Sequence, residues 1–286
     1  MKHSVTLRCR RLTCIGLLSL LAAVLVGTSV PLYAQSVSGR WLQLQRFSGT
    51  VTVVAGRSKS ARIGDRLSAV GHGLVTGSRS SANLSVDTGI GTIAVAQNTR
   101  ITIDRLTTLA DGGRVTILDV PRGQARLQVR RFTNPSSRLE LHTPSGVAAV
   151  RGTEFGVSVS PEGRTVVATT EGSVEATAAS QSVEVLPETV SLIYPGQPPT
   201  PAAPLDHELA IRWDANEWSN GYLYLSGNVD AANTIAVMGE ELPVNRRGRF
   251  ETRLYLPTRS QRVTIEVSNA VGETRTYTRR PWLSRD

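Results

Sequence analysis

The chain has 286 residues, with 32 basic against 23 acidic, a formal charge of +9 and two cysteines. Both cysteines, Cys9 and Cys14, lie in the first 34 residues. The remainder therefore has no disulfide, no thiol nucleophile and no cysteine metal site.

The first segment reads as an export signal. Lys2, Arg8, Arg10 and Arg11 form a positive start, residues 15–26 are apolar, and Leu32-Tyr33-Ala34 offers cleavage after Ala34. The rival reading is an uncleaved membrane anchor, but the apolar run is shorter than the ~20 residues a spanning helix needs. The expected location is the periplasm, the cell surface or the extracellular space, with membrane contact only through this segment if it stays attached. It carries four of the basic residues and none of the 23 acidic ones, so the remainder has a charge of +5. No nucleic-acid partner is expected, since an exported chain rarely meets one and no binding motif is present.

From Trp41 the pattern is short strands separated by turns. Residues 51–54, 82–86, 91–96 and 101–103 are strand candidates, punctuated by Gly56, Gly64, Gly71, Gly73, Gly77 and Gly89. Asp111-Gly112-Gly113 is a hairpin turn before a strand at 114–120. A further strand at 124–130 places Arg126, Gln128 and Arg130 on one face and Ala125, Leu127 and Val129 on the other. No sustained helical period follows residue 34, so the chain is expected to be all-β. Its rhythm fits a solenoid-like stack or a sandwich of short strands.

Residues 143–157 concentrate the distinctive chemistry. Leu139 and Leu141 alternate with Glu140 and His142, Pro144 ends that strand, and Ser145-Gly146 turns the chain. Val147 to Val150 is short and apolar. Gly152 then breaks the pattern, and Phe155, Val157 and Val159 resume a period of two. Arg151 and Glu154 are opposite charges at an apolar junction. Such charges are expected to pair with each other. Gly152 provides a backbone angle or close approach that a Cβ forbids.

The run Thr143-Pro144…Val150-Arg151-Gly152-Thr153-Glu154-Phe155, with Glu171-Gly172 after it, resembles the signature of the FecR family of exported bacterial sensor domains. Upstream, Gly64-Asp65-Arg66-Leu67, Thr76-Gly77 through Leu84, Ala96-Gln97-Asn98-Thr99 and Arg122-Gly123 fit the same family. The resemblance spans residues 41–194 and implies a winding β domain. It also implies a sensing or signalling role exercised by protein contact; the best-known members relay a transporter signal to a sigma factor. Two features depart from those members. Only about a dozen residues precede the apolar run, and the usual transporter-docking domain appears replaced.

Residues 195–204 hold five of the fourteen prolines. The expectation is a semi-rigid spacer keeping two folding units apart. The second unit, 205–286, has six or seven candidate strands with turns at Asn220-Gly221, Arg247-Gly248 and Gly272-Glu273, which suits a sandwich. Gly227-Asn228-Val229-Asp230, Val237, Gly239 and Gly248-Arg249-Phe250 resemble bacterial immunoglobulin-like modules, without a cysteine pair.

No enzyme is expected. His72, His142 and His207 lack a nearby nucleophile motif or metal-ligand spacing, and no cofactor is implied. Two arginine clusters, Arg126/Arg130 and Arg246/Arg247/Arg249/Arg253, and two tryptophans, Trp213 and Trp218, suggest partners. These are an envelope protein or, in an alternative adhesive role, an anionic envelope polysaccharide.

Overall fold

A computed structural model describes residues 39–258, 261–280 and 282–283. The expected signal at 1–34 lies outside them. Among the described residues there are strands and turns but no helix. In chain order the strands begin with β1 Leu42–Ser48, β2 Val51–Ala55, β3 Arg57–Ser60, β4 Arg66–Leu67, β5 Gly73–Thr76 and β6 Ser81–Val86. There follow β7 Gly91–Val95, β8 Arg100–Thr108, β9 Arg114–Val129, β10 Arg138–His142, β11 Val147–Val150 and β12 Glu154–Val159. Next come β13 Thr165–Glu171, β14 Val174–Ala178, β15 Gln181–Val185, β16 Thr189–Ile193 and β17 Ala203–Pro204. The last group is β18 Arg212–Ser219, β19 Tyr222–Asn228, β20 Thr234–Val237, β21 Glu240–Leu242, β22 Arg249–Tyr255, β23 Val263–Ser268, β24 Thr274–Arg279 and β25 Trp282–Leu283.

The first seventeen strands make two layers over one core. One layer runs β4-β1-β6-β7-β9-β12-β13-β16-β17. The other runs β3-β2-β5-β8-β9-β10-β11-β14-β15. From β10 onward, successive hairpins fall alternately in the two layers, so each hairpin adds one step to the stack. Both expected architectures are thus combined in a sandwich that winds. Leu42, Leu84, Ile93, Leu127 and Phe155 of one layer meet Val53, Leu74, Ile101, Leu118 and Leu139 of the other, all essentially buried. Period-two alternation supplies this shared apolar face.

β9 belongs to both layers. Its first half pairs with β8 and β10, its second with β7 and β12. The sequence reads as two strands broken at residues 121–123, whereas the structure has one strand that bends there. Pro121 has no N–H for a ladder. Gly123 has φ +89°, and a Cβ on it would lie 2.5 Å from Thr99 Cα. Thr99 holds the corner, its Oγ1 accepting from the Gln124 amide at 2.9 Å.

The last eight strands form two four-stranded sheets, β22-β19-β18-β25 and β21-β20-β23-β24. Their core contains Leu223, Leu225, Ile235, Val237, Phe250, Ile265 and Val267. Trp213 meets Phe250 edge-to-face at 6.0 Å, and Trp218 donates to the Leu256 carbonyl at 2.9 Å. Both tryptophans are therefore engaged in this sandwich.

Residues 39–286 are one compact unit, so the expected spacer is corrected. The proline-rich run folds back on β16. Thr200 N donates to the Leu192 carbonyl at 2.8 Å, and Ala203 and Pro204 pair with Val190 and Thr189. Proline is tolerated because β17 is an edge strand. Local stiffness was legible in the composition, but the tertiary surface receiving the run was not. Val166, Ala168, Val190 and Leu205 pack against Ala232, Ala270 and Val271 of the second sandwich. Buried Arg164 donates to the carbonyls of Ala231 and Asn233, the latter at 3.2 Å. Gln124 Nε2 donates to the carbonyls of Asn269 at 2.8 Å and Ala270 at 3.0 Å. A Cβ on Gly156 would lie 1.9 Å from the Ala270 carbonyl oxygen, so glycine is what lets the two surfaces meet. Gly156→Val should unseat the second sandwich. Limited proteolysis should leave residues 195–204 uncut in the native protein and cut them in the variant; equal resistance in both would refute the contact.

His207 also spans this junction. Its Nδ1 faces Glu273 Oε2 and its Nε2 faces Glu188 Oε2, both at 2.8 Å. Both nitrogens donate only in the imidazolium. Hydrogen bonds to Glu273 and then Glu188 raise its pKa above the usual value, against slight burial. A raised folded pKa contributes stability that is complete below the unfolded value of about 6.5 and is lost as pH rises through the folded one. The side chain is half exposed, so the effect is modest. Protection of the 195–204 run should be greater at about pH 6 than at about pH 8.5, and His207→Gln should flatten that profile.

Candidate functional site

The chain passes between layers at the ends of β9, β11, β13 and β15. A groove of about 1600 Å³ follows this seam. Its lining includes Val150, Arg151, Gly152, Thr153, Glu154, Glu171 and Gly172, so seven of the ten signature residues converge there. Arg130, Arg131, Arg138, Glu140, Glu175 and Glu184 complete its charged wall.

Thr153 joins three crossovers. It is buried, its N–H donates to the Val129 carbonyl and its carbonyl accepts from the Val129 N–H, both at 3.0 Å. Its Oγ1 donates to the Ser173 carbonyl at 2.9 Å. The Phe132 N–H donates to the Arg151 carbonyl at 2.9 Å. Gly152 has φ +141°, and a Cβ there would lie 2.3 Å from Arg131 Cα. The close approach read from the sequence is therefore present, and its counterpart is the Arg130-Arg131 crossover. Gly172, with φ +79°, stacks on the other side, where a Cβ would meet the Gly152 carbonyl at 2.8 Å. Val150 and Phe155 anchor the crossover in the core.

Thr143 and Pro144 lie at the opposite end of the β10–β11 hairpin. The N–H and Oγ1 of Thr143 donate to the Gly146 carbonyl at 2.9 and 2.8 Å. Thr165 Oγ1 donates to Thr143 Oγ1 at 2.8 Å, and Pro144 sits beside Gly163. This pair closes the turn and takes no part in the groove.

The expected Arg151–Glu154 pair does not form. Glu154 instead pairs with Arg126 and accepts from Gln128 Nε2 at 3.3 Å. The cause is register. Glu154 lies opposite Gln128, and the alternation read for 124–130 sets Arg126 on the same outer face. Arg151 stands on the crossover, exposed. Among the described residues Arg130, Arg131 and Arg151 are in no ion pair, nor are Glu171, Glu175 and Glu184. Glu175 and Glu184 face each other directly across β14 and β15. Glu140 differs: burial pushes it up, but hydrogen bonds from His142 and Arg138 prevail and hold it below the usual carboxylate range. The second arginine cluster is largely engaged: Arg246 stacks on Tyr194, Arg253 on Tyr222, and Arg249 faces Asp214.

Sequence reasoning missed Arg131, Glu175 and Glu184, which only the stacking of crossovers brings beside the signature. The Arg130-Arg131 doublet at a strand end was the available signal.

The family model described as FecR protein matches residues 73–175. That span holds every signature residue. Two crystal structures of a candidate anti-sigma factor from Parabacteroides distasonis ATCC 8503 are similar, at 14% and 15% identity and TM-scores of 0.39 and 0.38. Each match covers 46% of this chain and 59% of the solved one. The chain thus spans less than two thirds of those proteins. Polysaccharide lyase BACCELL_00875 matches at 12% identity and a TM-score of 0.21, covering 86% of this chain and 40% of that one. No curated protein matches the sequence.

Gly152→Ala should lower stability by about 3 kcal/mol through the clash with Arg131. A double-mutant cycle should find coupling of about 0.2–1 kcal/mol between Arg126 and Glu154 and none between Arg151 and Glu154. Denaturant melts measure both, and coupling confined to Arg151 would reverse the assignment.

Proposed function

We propose that this chain is an exported, non-enzymatic envelope protein with a sensing or signalling role. In this reading it contacts a protein partner through the seam groove. The match to the FecR model over residues 73–175 supports the regulatory class. The observation that carries the site is the contrast within the signature. Thr153, Gly152 and Gly172 are consumed in holding the crossovers, while Arg151 projects beside Arg130 and Arg131 with no partner charge. Fixed, unpaired guanidinium groups in a concave wall recognise carboxylates, because their planar donors match that geometry. The immunoglobulin-like reading of the second sandwich is part of the proposal, as a module that docks and supports the first. Export through residues 1–34 would give a mature protein starting at Gln35, which intact-mass analysis of the envelope fraction reads directly.

A photo-reactive residue at position 151, introduced in cells, should give a cross-linked product of one defined mass. The same residue at exposed Ser58, on β3, should not. Arg151→Ala should leave thermal melting unchanged yet abolish capture of that partner. No product at 151, or the same products from both positions, would remove the groove as the contact surface.

A further inference from the structure

The edge of the second sandwich carries a feature unrelated to the groove. Among the described residues, β22 ends its sheet and pairs only with β19. The Val229 N–H donates to the Gly248 carbonyl at 2.9 Å and the Leu256 N–H to the Gly221 carbonyl at 2.8 Å. Even-numbered residues between them therefore turn their backbone groups toward β19, and odd-numbered ones turn theirs outward. Those of Arg249 are used by its own turn, at 3.0 Å to Asn245 on both sides. Those of Glu251 and Arg253 have no partner among the described residues.

Proteins usually blunt such edges with charged side chains or proline, and runs of one sign also repel a second copy of the same edge. β3 carries Arg57 and Lys59, β24 carries Arg275 and Arg279, and β17 ends in Pro204. β22 is charged as well, but with both signs. Its exposed face reads Arg249, Glu251, Arg253, Tyr255, with signs alternating. Side-chain exposure is 78% for Glu251, and Tyr255 is 70% exposed. A cleft of about 520 Å³ beside Arg249 and Glu251 leaves room at the strand's start.

We propose that β22 pairs antiparallel with β22 of a second copy of this chain, about a two-fold axis at Thr252. Charge selects this register. With the axis at Thr252, Glu251 of each copy faces Arg253 of the other, and Arg249 faces Tyr255. The free outward backbone groups are those of Glu251 and Arg253, so ladder and charges agree at that pair, while those of Arg249 stay in its own turn. An axis at Glu251 sets glutamate against glutamate, and one at Arg253 sets arginine against arginine, which opposes pairing. Stacking of Arg253 on Tyr222 at 3.8 Å holds its guanidinium on the outer face beforehand. The two four-stranded sheets become one of eight strands, an isologous dimer.

Sedimentation of the full chain should show a concentration-dependent dimer. Glu251→Arg and Arg253→Glu should each weaken dimerisation about tenfold, since each strikes two symmetry-related pairs. The double exchange should restore it. Glu251 is exposed, so Glu251→Arg should leave the melting curve of the dilute monomer unchanged. Thr252→Cys should form an intermolecular disulfide, mapped by mass spectrometry to the peptide containing residue 252. A monomer at every soluble concentration overturns the proposal. So does a dimer indifferent to both single changes, or a double exchange that folds normally and stays monomeric.

Discussion

Backbone approaches backbone at the seam, and the first sandwich depends on that contact. With a Cβ on Gly152 only 2.3 Å from Arg131 Cα, the crossover after β11 lies directly on the crossover after β9. Thr153 then exchanges hydrogen bonds with Val129 and reaches Ser173. Three layer changes are thereby fixed relative to one another at the entries to β12 and β14. A slip of one residue would turn Phe155 and Val157 out of the core and Glu154 into it. The signature is therefore first a device for setting register. Arg151 is the residue this device leaves over, and the proposed role assigns it to a partner.

Much of the first sandwich is legible because its strands alternate cleanly. Leu139 and Leu141, Ala125, Leu127 and Val129, and Phe155 and Val157 all face the core the pattern assigns them. The misreadings share a cause. Pro121 and Gly123 look like a turn because they break local geometry, yet that break serves a strand changing layers. The five prolines look like a spacer because composition reports stiffness and not the surface that receives it. Arg151 and Glu154 look like a pair because they are three residues apart. Gly152 turns the chain between them, and the partner of Glu154 sits across a ladder twenty-eight residues away. Register is a tertiary quantity, so neighbours across strands become visible only once strands are paired.

The bias to arginine has a structural reading. All but two of the 32 basic residues are arginine. Arg40 is buried with Asp87 at 2.8 Å, and donates to the carbonyls of Thr107 and Val115 and to Thr116 Oγ1 at 2.9, 2.7 and 2.6 Å. One planar fork satisfies four acceptors from three chain segments, which a lysine ammonium cannot reproduce. Arg164 reaches two carbonyls, of Ala231 and Asn233, between the two sandwiches, and Arg66, Arg246 and Arg253 lie over aromatic rings. An all-β fold with no cysteine among its described residues uses these forks as cross-links between strands and loops. Part of the positive charge therefore has an architectural use.

That reading sharpens the meaning of the exceptions. Among the described residues Arg40, Arg126, Arg138 and Arg249 are in ion pairs, while Arg130, Arg131 and Arg151, on two stacked crossovers, are among the several arginines that are not. These three share their groove with Glu171, Glu175 and Glu184, which are also unpaired. Both signs persist side by side because the backbone contacts of Gly152 and Gly172 hold the crossovers rigid while β14 and β15 hold the glutamates on a sheet face. A groove that keeps both charges apart favours an occupant bringing its own opposite charges in the complementary order, as a polypeptide segment can and a uniformly acidic polymer cannot.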